Sequence, residues 1–409
     1  MKIFITFIFT LVLVGCGGST GCNVTGAFLG LATLSSCSNS NNSSPTVATG
    51  YFIDSAVQGL KYVSGSQSGV TGADGSFKYE IGKPIEFSIG GITLGTVPIA
   101  AGYISPIDLV SNGSITDQQV INITSFLMSL DNNKNAGDGI QISSTTQTAA
   151  VKWSPSNLNF DQSNSTFTTQ AFALTGFTLP SQTSAAAHLT SSLRCLQSGI
   201  FIGSFTAAIG AGGTGGYFAD SKTGKITGAY VASDGSFSGT AKGQDAISLD
   251  QKSTYSMGGG TSSGAVFIGN MNSSDANKFN NLSGTYTNST SNNNGKFNAD
   301  RLNGSYSAKY RVSGYFQTAD PDFLLYALDI KFDNLILGKI YSIKNKSTNS
   351  ISGNLIGNKI TVTATSGEVI NAEIDINTGA LSLVNLTKVT PILSVDSGSS
   401  GCLLNGFQV

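Results

Sequence analysis

Charge is scarce in this chain of 409 residues. Charged side chains make up 11% of it, against roughly 25% in an ordinary soluble domain. Ser, Thr, Asn and Gly stand where Lys and Glu usually would. Arginine is scarcer still, with Arg194, Arg301 and Arg311 only, and the net charge is −1. A protein that holds nucleic acid must neutralise phosphates with a basic face, so that class of partner is excluded. Histidine occurs once, as His188, and tryptophan once, as Trp153. A Ser-His-Asp triad therefore has one possible base, and that base lies among alanines in "PSQTSAAAHLTSSL" (180–193), which reads as a helix. Sugar sites commonly use aromatic platforms, and one tryptophan offers few. Beyond residue 40 only Cys195 and Cys402 remain of the cysteines, too few and too dispersed with His188 for a zinc site. No cofactor is expected.

What the chain does have begins with an apolar run, Ile3–Val14, behind a single charge at Lys2. Twelve residues fall short of the ~20 that span a bilayer, and the pattern is that of an export signal. Leu13-Val14-Gly15-Cys16 resembles the lipobox of bacterial lipoprotein precursors, in which the cysteine is alkylated by diacylglycerol, the chain is cut before it, and the freed amine is acylated. Three chains at ~0.8 kcal/mol per buried CH₂ make such an anchor effectively permanent. Cys16 is the expected lipidated residue. "LSSC", ending at Cys37, also fits and is the alternative, but it lies far from Lys2. Gly17, rather than Asp, after Cys16 implies by the same resemblance passage to the outer membrane.

"SNSNNSSP" (38–45) is a polar tether, and folded structure is expected from about Val47. The expected organisation is a signal peptide (1–15), a lipidated cysteine and tether (16–46), a small β-sandwich (47–112), a helical and irregular connector (113–197) and a duplicated Gly-rich β-domain (198–409). In the sandwich, Asp74-Gly75 of "TGADGSFKYE" reads as a hairpin turn, with Phe77 and Tyr79 alternating as a half-buried strand should. This stretch resembles transthyretin-like or immunoglobulin-like sandwiches. In the connector, Thr116-Asp117-Gln118-Gln119 reads as a capping box, with Val120, Ile123, Leu127 and Leu130 on one helix face.

From 198 onward a step of an apolar residue, Ser/Thr/Asn and Gly recurs, as in "KITGAY", "LSGTYTN" and "RVSGYF". Four ordered matches point to a duplication, with repeats at about 198–305 and 306–409. "FIGSF" (201–205) matches "VSGYF" (312–316), Gly228 matches Gly338, Gly239 matches Gly353, and "LNG" (302–304) matches "LNG" (404–406). Many short strands without intervening helices predict an antiparallel meander, barrel-like or as paired sheets, so that edges stay protected. The fold class is thus mainly β.

Few motifs carry chemistry. "GTSSG" (260–264) lacks a histidine after its serine, and "GAGGTG" (210–215) lacks a following helix, so both read as loops. Asp131, Asn133 and Asn135 have the alternating spacing of a Ca²⁺ loop, but Ala136 replaces its glycine and Ile142 its bidentate glutamate, so little or no binding is expected. Cys195 and Cys402, exported to an oxidising compartment, are expected to form a disulfide. That expectation rests on one closed meander whose first and last strands are neighbours.

The lipobox, "DGSFKYEIG", "HLTSSLRCLQSG" and "GSSGCLLNG" together resemble a group of proteobacterial outer-membrane lipoproteins that pair an N-terminal sandwich with a C-terminal Gly-rich β-domain. The resemblance implies attachment to the outer membrane through the lipid anchor, facing the periplasm or the cell surface. The expected role is non-enzymatic: binding, adhesion or envelope structure, with a protein or glycan ligand as partner. The alternative is an exported hydrolase with carboxylates in a cleft of the C-terminal β-domain.

Overall fold

A computed structural model of the chain describes residues 45–210, 212–233, 237–245, 256–260, 264–271, 280–289, 291–302, 308–318, 322–376, 379–388 and 394–403. Cys16, Cys37 and the tether up to residue 44 lie outside the described residues. Pro45–Val409 cluster as one compact unit.

The first strand, β1 (Val47–Phe52), begins where folded structure was expected. It is followed by β2 (Val57–Gln58), β3 (Lys61–Ser64), β4 (Gln67–Val70), β5 (Ser76–Glu80), β6 (Ile85–Ile89), β7 (Ile92–Val97) and β8 (Tyr103–Ile104). All but β2 form two small sheets, ordered β5-β1-β8 and β4-β3-β6-β7. Alternation sends Phe52 and Phe77 of one sheet against Phe87 of the other, with ring centroids 4.8 and 5.1 Å apart in edge-on pairs. Asp74-Gly75 does make a turn: Gly75 N donates to Gly72 O, Ser76 N donates to the Asp74 carboxylate, and Gly75 takes φ +77°. It is not a hairpin, which corrects the sequence reading. β4 belongs to one sheet and β5 to the other, because Phe77 must face inward, so the turn carries the chain across the sandwich.

A helical layer follows, made of α1 (Gln118–Ser129), β9 (Ile140–Gln141, pairing with β2), α2 (Ser144–Ala150), α3 (Asn164–Thr175) and α4 (Gln182–Gln197). Val120, Ile123, Leu127 and Leu130 of α1 are all buried, as their spacing predicts. The cap is Asp117, one residue later than the capping box implied, with its carboxylate accepting from Gln119 N at 2.8 Å. Buried Asn122 is satisfied by donating to Phe160 O and Gln162 O.

The rest of the described chain is two eight-stranded antiparallel sheets. The first holds β10 (Gly199–Phe205), β11 (Gly213–Ala219), β12 (Lys225–Ala232), β13 (Phe237–Asp245), β14 (Ser256–Gly260), β15 (Ala265–Met271), β16 (Asn281–Asn288) and β17 (Asn293–Arg301). The second holds β18 (Tyr310–Thr318), β19 (Phe323–Ile330), β20 (Leu335–Ser342), β21 (Ser347–Ile356), β22 (Lys359–Ala364), β23 (Val369–Ile374), β24 (Leu381–Thr387) and β25 (Ser394–Leu403). Each curls until its own first and last strands pair, β10 with β17 and β18 with β25. The breaks in hydrogen bonding lie between β13 and β14 in the first and between β24 and β25 in the second. Three of the four sequence matches fall on corresponding strands: 201–205 and 312–316 on the first of each set, Gly228 and Gly338 on the third, Gly239 and Gly353 on the fourth. Most of the "LNG" pair lies outside the described residues.

The disulfide Cys195–Cys402 is present, with Cα atoms 5.7 Å apart and a sequence separation of 207. The reason given for it needs correction. No single meander brings the first and last strands of 198–409 together. Instead each sheet curls separately into a nearly closed, barrel-like form, called a barrel below, and the bond ties the end of α4 to the last strand of the second. The barrels meet through outer faces, Ile200, Phe218 and Val231 of the first packing with Tyr315, Leu325 and Ile343 of the second.

Candidate functional site

The two barrels differ inside. The second is filled mostly by aliphatic side chains, with Val312, Leu328, Ile336, Ile340, Ile351, Ile360, Val362 and Ile370 in one buried cluster that also packs the rings of Tyr310, Phe316 and Tyr326 and leaves no room among them. In the first, the inward positions alternate glycine and an aromatic ring: Gly203 and Phe205, Gly215 and Tyr217, Gly228 and Tyr230, Gly284 and Tyr286, Gly295 and Phe297, and in reverse order Phe267 and Gly269. Residues two apart on a strand share a face, so this G-x-aromatic step puts both on the barrel interior.

The glycines are needed because the rings lie on them. A Cβ at Gly213 would sit 2.7 Å from the Phe205 ring, one at Gly228 2.5 Å from that of Tyr217, and one at Gly295 2.6 Å from that of Tyr286. Each ring thus covers a bare stretch of the neighbouring strand, which restores the packing a side-chain-free strand would forfeit. Phe205 meets both Tyr230 and Tyr286 edge-on, at 5.6 and 6.0 Å, and deeper in the barrel Phe267 lies 5.6 Å from Tyr217 and 6.0 Å from Phe297.

These rings line a cavity of about 190 Å³, with Asn288, Ser291 and Asn293 completing its wall. Among the described residues, none of its lining side chains carries a charge. Burial pushes the Tyr217 hydroxyl up to about 12, with Tyr230 and Tyr286 adding to the effect, and burial with Tyr230 also raises Tyr286. Both phenols are neutral donors at physiological pH, and Tyr286 donates to Thr206 O at 3.0 Å. At the far end of β17, Arg301 lies 4.7 Å above the Phe201 ring and donates to the carbonyls of Leu196 and Ser198 at the end of α4. Burial, then the neighbouring Arg311, lowers its pKa to about 9. The barrel end nearest α4 is thereby sealed by a capped helix C-terminus.

A second cleft, of about 540 Å³, opens between α4, the 53–55 segment of the sandwich and the outer face of β25, with the disulfide in its wall. His188 lines it. The His188 Nε2 lies 3.3 Å from the Asp54 carboxylate and 3.1 Å from the Asp54 carbonyl. Asp54 is fully buried, and its desolvation raises its pKa to about 6 against the lowering influence of His188.

The Ca²⁺ candidates do not converge. Asp131 is buried and accepts from Gln141 N, Asn133 Oδ1 accepts from Asn135 N, and the Asn133 and Asn135 amides both donate to Asp138. Among the described residues no group of three or more His, Cys, Asp or Glu side chains is placed to hold a metal. Trp153 is buried, edge-on to Phe126, in the helical layer. In "GAGGTG", Gly213 opens β11, and Ser262 of "GTSSG" lies outside the described residues. Among the described residues no helix is long and apolar enough to cross a membrane.

The aromatic lining escaped the reading of the sequence, which took the recurring glycines as turn punctuation. The spacing of glycine two residues from Phe or Tyr was the available signal. No family model matches this chain, and no curated protein is similar to it in sequence.

Proposed function

We propose that this protein is an outer-membrane lipoprotein, anchored through Cys16 with Cys37 as the alternative, whose first barrel binds a small neutral ligand. The observation that carries the reading is the contrast between two matching repeats, one filled with aliphatic side chains and the other lined by rings around about 190 Å³. That volume slightly exceeds the roughly 150 Å³ apolar cavity that accepts one benzene. A single apolar ring or the end of an acyl chain fits it. Among the described lining residues there is no carboxylate, histidine, lysine or cysteine, and the tyrosines stay neutral, which supports binding rather than catalysis there.

The test titrates p-cresol, a neutral single ring, into the full chain in detergent and follows the heat of binding. Saturable binding, weakened at least tenfold by Phe267→Asp, is expected. Affinity unchanged by that substitution overturns the assignment. A glycan array reports the expected alternative ligand, and intact mass of the membrane-extracted protein distinguishes acylation at Cys16 from a chain beginning at Cys37.

A further inference from the structure

The cleft beside α4 contains groups that ligand binding in the barrel does not use. Asp54 is fully buried, and neither carboxylate oxygen has a hydrogen bond meeting ordinary geometry among the described residues. Beside it lies the only imidazole in the chain, that of His188, with Nε2 at 3.3 Å. A buried carboxylate without other donors is costly, and proteins seldom keep one without a use for it. The adjoining backbone is held in place as well. Ser55 takes φ +52°, a conformation rare for a non-glycine residue, and its N–H donates to Ser192 Oγ at 2.8 Å. Ser192 Oγ in turn donates to the His188 carbonyl at 3.1 Å, so the Asp54-Ser55 turn and the His188 helix are locked together.

With Nε2 turned to Asp54, Nδ1 has no protein partner among the described residues, and the imidazole lines a cleft large enough for a small molecule and water. A base held through Nε2 by the Asp54 carbonyl, with the buried Asp54 carboxylate 3.3 Å from the same nitrogen to stabilise the imidazolium that forms, is an arrangement that activates a hydroxyl nucleophile. We propose that His188, positioned by Asp54, is the general base of a second site that hydrolyses small neutral carboxylic esters.

The step balances without a cofactor. Nδ1 takes a proton from water as the water oxygen bonds to the acyl carbon and the carbonyl π pair moves to its oxygen. Collapse of the tetrahedral adduct re-forms the carbonyl, breaks the acyl C–O bond and returns the proton from Nδ1–H to the departing alkoxide. One ester and one water become an acid and an alcohol. Among the described residues of the cleft wall, Lys222 is the only Lys or Arg, and its ammonium is the positive charge nearest at hand for a developing oxyanion in this cleft.

The experiment measures release of p-nitrophenol from p-nitrophenyl butyrate by the full chain. Wild type is expected to exceed an equal concentration of free imidazole by at least about 10²-fold, the scale of positioned general-base catalysis. His188→Gln should lose that excess while keeping its melting temperature, and His188→Ala should regain part of it with added imidazole, a rescue that a purely structural role would not allow. Asp54→Asn, changing a positioning residue, should lower kcat with little change in KM and displace the acidic limb of the pH–kcat profile. Wild type no faster than imidazole overturns the proposal. So does His188→Gln at the wild-type rate, or His188→Ala that stays silent with imidazole while folded.

Discussion

Replacing Asp54 by Asn should stabilise the protein, and by an amount that depends on pH. The carboxyl is fully buried and its pKa is raised from the ordinary value of 3.8 to about 6, first by desolvation. The folded state therefore holds this proton more tightly than the unfolded chain does. The group's contribution is fully present below about pH 4 and is lost as the pH climbs through about 6. A gap of about two pH units at 1.36 kcal/mol each amounts to about 3 kcal/mol, as an order of magnitude. Asparagine keeps the shape and cannot ionise. The variant should match wild type near pH 4 and exceed it progressively above that, reaching a few degrees in melting temperature by pH 8. Thermal unfolding of both proteins across pH 4–8 checks this. Taking the difference cancels other groups, including Glu368. There burial raises the pKa, but hydrogen bonds from Ser366 and Lys388 outweigh it and lower the value, so its contribution is lost in acid. A variant less stable than wild type at pH 8, or a difference flat with pH, would refute the reasoning.

Three further outcomes follow from packing. Gly295→Ala would place a Cβ 1.8 Å from Thr206 O and 2.6 Å from the Tyr286 ring, and should cost about 1–3 kcal/mol and weaken probe binding in the barrel. Gly357→Ala, with nothing within 4 Å but φ +64°, serves as the comparison that isolates backbone strain from overpacking in the same melting assay. Arg301→Met leaves the Leu196 and Ser198 carbonyls without their donor. It should destabilise by about 2–4 kcal/mol, seen as faster proteolysis at the α4–β10 junction. Cys195→Ser opens a loop with a sequence separation of 207, and denaturant titration with and without reductant should show a loss of up to about 5 kcal/mol in wild type and none in the variant.

Much of the fold was legible because it is written in periodicity. The buried face of α1 and the strand-for-strand duplication follow from spacings of three to four and about 110 residues, and the onset of structure at Val47 follows from the end of the polar tether. Turn chemistry was legible only locally. Asp74-Gly75 specifies a turn, but which sheet β5 joins is decided by where the Phe77 ring can be buried, and that depends on Phe52 and Phe87. The disulfide was expected for the wrong reason, since two cysteines limit the pairing whatever the closure of the sheets. Asp54 and His188 were not legible as a pair: 134 residues separate them, and no local pattern marks a residue on a turn as the partner of one on a distant helix. The barrel cavity was hidden in plain composition, because a glycine on an inner face and a glycine in a turn are the same letter.

Two copies of one closure pattern in a single chain carry a kinetic hazard. While β10 waits for β17, the seam it presents is of the same kind as the one β18 offers to β25, and crossed pairings of β10 with β25 would thread both repeats into one another. Tandem domains that resemble each other are prone to this kind of misassembly. The side chains at the two seams do little to prevent it. β18 carries Gly314 and Phe316 on its inner face, the same step as Gly203 and Phe205 on β10, and β25 meets it with Ser397, Ser399 and Gly401. What favours the native closures is chain length: the loop from β10 to β17 is about half that from β10 to β25, which lowers its closure entropy by roughly 0.6 kcal/mol and lets each repeat shut before its neighbour can intrude.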